Sequence, residues 1–267
     1  MFPGFTLFGR FYGSYPIMAA LGAIIAGLIA ILLYKKKTGD GYPMLITLLI
    51  SAVGVFVGGV LLYGITNVQY WHLLFEAEDF EQFWKYITTI FGGSVFYGGL
   101  LGGIAAALIV IRANRYPRAE ITDCAAPAVP LFHFFGRIGC FLGGCCYGIE
   151  SEFGFTFTNA LVESANGVRR FPVQLFEAGF NLILFFALFI VLKKEKLKGR
   201  LFLLYLGLYA PARFGLEFLR GDAYRGYLFG LSTSQIISLG IMLVLAVYAV
   251  ITKLKKSKTQ KNGKQSV

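Results

Sequence analysis

Apolar residues along this chain come in blocks, not in amphipathic stripes. Runs of about 20 apolar positions, the length that crosses a bilayer, fall near residues 15–34, 43–65, 91–112, 120–143, 173–192, 200–220 and 232–252. The pattern predicts an all-α integral membrane protein with seven transmembrane helices, its termini on opposite sides of the membrane.

Two polar intervals break the rhythm. Residues 66–90 mix Tyr70, Trp71, Trp84 and Tyr86 with Glu76, Glu78, Asp79 and Glu81, which suits either a helix at headgroup level or a plain loop. Residues 144–172 carry the alternating run GFTFTN and then the turn pair Asn166-Gly167, which predicts a short hairpin and a small extracytoplasmic cap.

Composition narrows this picture. Of 267 residues, 57% are hydrophobic and 15% charged, against about 25% charged in a typical soluble chain. A water-facing surface could not be covered, so residues 1–267 are read as a single transmembrane domain. The formal net charge of +11 resides at helix ends. Lys35 to Lys37, Arg112, Arg115, Arg118, Lys193, Lys194, Lys196, Lys198, Arg200 and the six lysines of the basic tail, 253–267, share one side. Arg10, Lys85, Arg169, Arg170, Arg220 and Arg225 share the other. The bias places the N-terminus outside and the C-terminus in the cytoplasm, and no nucleic-acid partner is expected. The opening MFPGFTLFGRFYGSYP lacks the order of a cleavable signal, so the first span is expected to be retained.

The stretch HFFGRIGCFLGGCCYG, 133–148, buries chemistry in an apolar run. An ionised side chain at that depth costs at least ~2.5 kcal/mol, so Arg137 needs a reason. On a rise of ~1.5 Å per residue, Arg137, Tyr97, Glu177 and Arg213 all fall roughly 8–12 Å beneath the outer surface. Tyr15 enters from the same side, and Tyr209 lies one turn from Arg213 on the same helix face. Gln174, Glu177 and Asn181 share a face of the fifth span. Ion pairs Arg137–Glu177, Arg213–Glu217 and Arg220–Asp222 are the structural alternative to a ligand site. The expectation is that Arg137 and Arg213 exceed the acidic charge at their depth and so face an anion, such as a phospholipid phosphate. His133 reads as a satisfied core histidine.

Cys140, Cys145 and Cys146 form C-x4-C-C, which has no recognised zinc-ligand spacing, so no metal and no other cofactor are expected. As relay nucleophiles, a redox pair, metal ligands or apolar fillers, the thiols stay open.

At these residues the chain resembles the bacterial prolipoprotein diacylglyceryl transferases. GRIGCFLGGCCYG at 136–148 is similar to the family pattern G-R-x-G-N-F-x-N-G-E-x-x-G, and FYGGLLGG at 96–103 to H-G-G-L-x-G. RFPVQLFEA at 170–178, YAPARFGLEFLRGD at 209–222 and YPIMAALG at 15–22 are similar to three further elements in the same order. Tyr97 stands where the family has histidine, Cys140 where it has asparagine and Cys145 where it has glutamate.

The resemblance implies transfer of diacylglyceryl from phosphatidylglycerol to the cysteine thiol of a prolipoprotein signal peptide, with glycerol phosphate leaving. It implies a multi-pass protein of the bacterial cell membrane, in contact with membrane lipids, its site toward the extracytoplasmic side. Arg137 and Arg213, with Tyr97, are the implied catalytic residues, Tyr97 acting as a base or positioning the lipid. Tyr15, Gly98, Gly99, Cys140, Gly144, Cys145, Gly148, Glu177, Tyr209 and Glu217 are the implied substrate contacts. A lipid or small-anion transporter using the same arginines, or a thiol-redox membrane protein, is the alternative.

Overall fold

The computed structural model describes residues 1–222 and 227–264. The apolar blocks fold as helices: α1 Ser14–Thr38, α2 Tyr42–Thr66, α3 Phe80–Phe91, α4 Phe96–Ala113, α5 Arg118–Ala125, α6 Ala128–Gly143, α7 Val173–Lys193, α8 Leu201–Glu217 and α9 Thr233–Lys264. Among the described residues, five helical segments are long and apolar enough to cross a membrane: Ser14–Thr38, Tyr42–Thr66, Arg118–Gly143, Val173–Lys193 and Thr233–Leu254.

The other two expected spans fold as shorter helices, α4 with 18 residues and α8 with 17. The block read as starting at 91 is interrupted, because α3 ends on Gly92 and Val95 is extended before α4 begins. The helix anticipated between 66 and 90 is present as α3. Its first turn is closed by Asp79, whose Oδ1 accepts from the Gln82 amide at 2.7 Å, while Gln82 Oε1 accepts from the Glu78 amide at 2.7 Å.

The chain divides into two compact units, Ala30–Ile121 and Met1–Ile29 with Thr122–Val267. In the first, α2 and α4 meet through glycines. A Cβ on Gly58 would overlap the Gly98 carbonyl, and one on Gly102 would overlap the Gly54 carbonyl. Backbone against backbone is how small residues hold helices together where burial from water offers little driving force.

In the second unit α6 packs on α7, and α8 on α7 and α9. The start of α8 is fixed from a distance in sequence: buried Asp123 on α5 accepts from the amides of Gly199 (Oδ2, 2.6 Å) and Leu201 (Oδ1, 3.1 Å). A carboxylate there satisfies amides that begin a helix and complements its positive end. Asp123→Ala leaves those donors unsatisfied and is expected to lower stability by about 1–3 kcal/mol, read as a shifted unfolding midpoint in detergent; a shift below about a third of that range would contradict this clamp.

Among the described residues, three two-stranded antiparallel sheets accompany the helices. Strands β1 Gly4–Leu7 and β2 Arg10–Gly13 form an N-terminal hairpin, turning at Phe8 (φ 50°) and Gly9 (φ 75°). The expected cap segment contains β3 Glu150–Thr156 and β4 Arg169–Arg170, with a bulge between Glu150 and Phe155. Asn166-Gly167 turns the chain just before β4 and is not a two-residue loop. Strands β5 Tyr227–Leu228 and β6 Leu231–Ser232 precede α9. The expected contribution of Arg225 to the outer-side charge lies outside the described residues.

Candidate functional site

The site is organised around Glu177. Pro172 precedes α7, and the i, i+3, i+7 spacing of Gln174, Glu177 and Asn181 places all three on its buried face, at 0%, 2% and 0% exposure. A carboxylate so deep must be paired. Oε1 of Glu177 receives Nη2 of Arg137 from α6 at 2.9 Å and the hydroxyl of Tyr209 from α8 at 2.8 Å, with Nε of Arg213 at 3.9 Å. Asn181 Nδ2 donates to the Glu177 backbone carbonyl at 2.8 Å. Two helices, α6 and α8, thus bring three predicted side chains to one oxygen of a fourth on α7.

The expectation of guanidinium charge in excess of carboxylate is corrected here. Arg213 Nη2 lies 2.6 Å from Oε2 of Glu217, one turn along α8, and donates to Ser234 Oγ at 3.0 Å. Two arginines therefore meet two carboxylates. The Arg213–Glu217 pair named as the alternative to a ligand site thus forms, because at i+4 the Glu217 side chain returns to the arginine. What the arrangement offers an anion is donor capacity and not net charge. Arg213 Nη1 is buried without a hydrogen-bond partner among the described residues, and the Arg137 side chain is 20% exposed. A guanidinium carries five N–H donors in a fixed fork.

The cysteine loop borders this cluster. Gly144 ends α6 in the left-handed conformation (φ 72°), where the Cys145 amide returns to the Cys140 carbonyl at 3.1 Å, and Gln174 Nε2 donates to the Cys145 carbonyl at 2.9 Å. All four cysteines are thiols, with Cys140 buried. Gly148 is a packing position: a Cβ there would overlap the Phe171 carbonyl, and its bridge to Arg220 ties the loop to the end of α8. Arg220 and Asp222 form the expected pair, Nε–Oδ1 3.0 Å and Nη2–Oδ2 2.9 Å. Burial raises the Asp222 carboxyl above its usual value, and Arg220 opposes that rise. Tyr15 is 47% exposed and opens α1, where its backbone packs on Gly139 of α6.

Tyr97, Gly98 and Gly99 belong to the other unit. There the nearest neighbours of Gly98 and Gly99 are α2 residues, Gly58 and Val55, so close helix packing accounts for both.

Three contributors were not legible as site residues. His133 Nδ1 meets the Tyr205 hydroxyl at 3.1 Å and its ring packs on Tyr209, with 5.4 Å between centroids, which agrees with a satisfied core histidine. Tyr205 stacks on Tyr209 at 5.5 Å, an i, i+4 relation that could have been read beforehand. Buried Arg170 donates to the carbonyls of Ala165 (3.3 Å) and Ser164 (2.9 Å) and lies 4.4 Å over the Tyr147 ring, clamping the cap segment; its place among the outer-side charges concealed this.

The chain matches the family described as prolipoprotein diacylglyceryl transferase over residues 6–251. It is 34% identical over 243 residues to a phosphatidylglycerol–prolipoprotein diacylglyceryl transferase of Clostridium tetani, covering 90% of this chain and 93% of that one. A second such transferase, of Clostridium perfringens, is 34% identical over 258 residues, covering 94% and 95%. One from Campylobacter hominis is 31% identical over 272 residues, covering 98% and 94%.

Proposed function

Because the chain belongs to the prolipoprotein diacylglyceryl transferase family, we infer that it moves the diacylglyceryl group of phosphatidylglycerol onto the cysteine thiol of a prolipoprotein signal peptide, and that it does so at the Glu177 cluster. It is a transferase of lipoprotein maturation and a multi-pass membrane protein with bacterial relatives. The observation that carries the site assignment is the meeting of Arg137 and Arg213 on one buried carboxylate oxygen, at 2.9 and 3.9 Å, with Arg213 Nη1 still lacking an acceptor among the described residues.

In this reading Glu177 and Glu217 hold the two forks in place before lipid arrives, and Tyr209 fixes Glu177. The lipid phosphate then takes the remaining donors. As the thiol sulfur bonds to glycerol C3, the C3–O bond breaks and its electron pair stays on the phosphate, which turns from a monoanionic diester toward a monoester. Charge grows where the forks lie, so they favour the transition state over the ground state. Tyr15 and the loop of Gly144, Cys145 and Gly148 border the lipid, and Tyr97 is a candidate from its motif alone.

We further propose that the two shorter helices α4 and α8 also cross the membrane, giving seven spans with the N-terminus outside. The distribution of lysine and arginine supports that orientation. The segment 144–172 then caps the extracytoplasmic side, where the site faces. The relatives' names favour transfer over the transporter and redox alternatives.

Purified protein incubated with labelled phosphatidylglycerol and a peptide bearing a lipoprotein-type cysteine is expected to add one diacylglyceryl mass to the peptide and to release glycerol phosphate. An unchanged peptide mass, under conditions where a related transferase is active, would contradict the assignment.

A further inference from the structure

The thiol that attacks the lipid has an ordinary pKa near ~8.5 and is mostly protonated at pH 7, so its activation remains to be assigned. Beside the Glu177 cluster, however, the fold gathers the three sulfurs of the C-x4-C-C run. Gly144 in its left-handed turn, followed by Cys146 at φ 56°, folds the chain back under the end of α6. The Sγ atoms of Cys140, Cys145 and Cys146 then all lie within 4.8 Å of one another.

Tetrahedral zinc with Zn–S bonds of ~2.3 Å sets its sulfurs about 3.8 Å apart, so the triangle closes with shifts below about 1 Å per sulfur. Cys140 is buried while Cys145 and Cys146 are half-buried. Gln174 holds the Cys145 backbone in place at 2.9 Å. Three thiolates around a dication leave one excess negative charge, and the guanidinium groups of Arg137 and Arg220 lie within electrostatic reach of Cys146 to offset it. Three protein ligands with an open fourth position is the arrangement of a catalytic zinc site, whereas structural zinc sites are closed by four.

We propose that Cys140, Cys145 and Cys146 hold one Zn(II), whose fourth position takes the thiol of the acceptor peptide and presents it to the lipid as a thiolate. This rests on the transferase reading and supplies the activation step that reading lacks. The acceptor thiol gives its proton to water as its sulfur binds the metal. A lone pair of that sulfur then forms the bond to glycerol C3 while the C3–O pair departs on the phosphate oxygen of glycerol phosphate. No electron changes hands and the ion stays Zn(II). The thioether product is uncharged and a weaker ligand, so it leaves the fourth position for the next peptide.

A metal-bound thiol is deprotonated outright, whereas a free thiol of pKa ~8.5 is only about 3% ionised at pH 7. Removing the metal is therefore expected to slow transfer roughly 30-fold at pH 7, and only about 2-fold at pH 8.5.

The test titrates the full chain, purified in detergent under reducing, metal-free conditions, with Zn(II) alone. One zinc per chain is expected, with three sulfurs at about 2.3 Å by X-ray absorption and a fourth sulfur gained when the cysteine peptide is added. Cys140→Ser, Cys145→Ser and Cys146→Ser each lose zinc, while Cys124→Ser, at a buried cysteine outside the triangle, keeps it. Failure to retain zinc, zinc that survives the triple serine variant, Cu(I) held in preference to zinc, or a chain lighter by two hydrogens from a disulfide would each overturn the proposal. If zinc fails to bind and the peptide is still lipidated, the metal site falls and the transferase reading stands. If zinc and the peptide thiol bind but lipid never reaches the peptide, the transferase reading falls and the activation role with it.

Discussion

Replacing Arg213 with lysine lowers the initial rate of peptide lipidation by about 10²-fold or more, the scale for losing a preorganised charge-stabilising donor. The side chain does several things at once. Nη2 serves Glu217 at 2.6 Å and Ser234 at 3.0 Å, Nε faces Glu177 at 3.9 Å, and Nη1 is left over for a ligand. A lysine ammonium keeps the charge but is a single point, so it can stay with Glu217 or reach a phosphate and cannot present a fork to both. The charge is conserved in the variant, so a rate within threefold of the parent would mean that geometry at this position does not matter.

Glu177→Gln has the largest expected effect on stability. It removes the charge on which Arg137 converges at 2.9 Å and to which Tyr209 donates at 2.8 Å, at a position 2% exposed. Taking one partner from a buried pair leaves the other uncompensated, at about 3–5 kcal/mol. Tyr209→Phe removes only the hydroxyl from the same oxygen and is expected to cost about 0.6–2 kcal/mol, as for hydrogen bonds between membrane helices. Unfolding of both variants in one detergent measures the pair. Equal losses would show that Glu177 acts as a hydrogen-bond acceptor and not as a charge.

The parts of this arrangement set by periodicity were readable in the sequence. The buried face of α7, the shared face of Tyr209 and Arg213 on α8, and the Arg137–Glu177 contact all follow from counting residues along helices. The apolar blocks located the helices, although Gly92 and Gly93 shortened the third, since a helix end needs local turn chemistry that hydropathy ignores. The aromatic hairpin β1–β2 was missed because its Phe8-Gly9 turn carries none of the Asn-Gly or Asp-Gly signals of such turns. Asp123 was invisible for another reason: its acceptors serve amides 76 and 78 residues away. The Arg213–Glu217 pair was legible at i+4, and the charge excess was misjudged because depth along a helix axis says where a Cα lies and not where a long side chain returns. The cysteine triangle depends on left-handed backbone at Gly144 and Cys146, which residue spacing does not encode.

The two guanidinium groups are held to act as one unit on one phosphate, and a double-mutant cycle on transfer rate reports on that directly. With Arg137→Lys and Arg213→Lys each lowering the rate by about 10²-fold, the double variant is expected to fall by about 10² to 10³-fold, because the second loss removes part of an interaction already broken. A double variant slower by the full product, about 10⁴-fold, would mean that the arginines act independently, on different groups or at different steps.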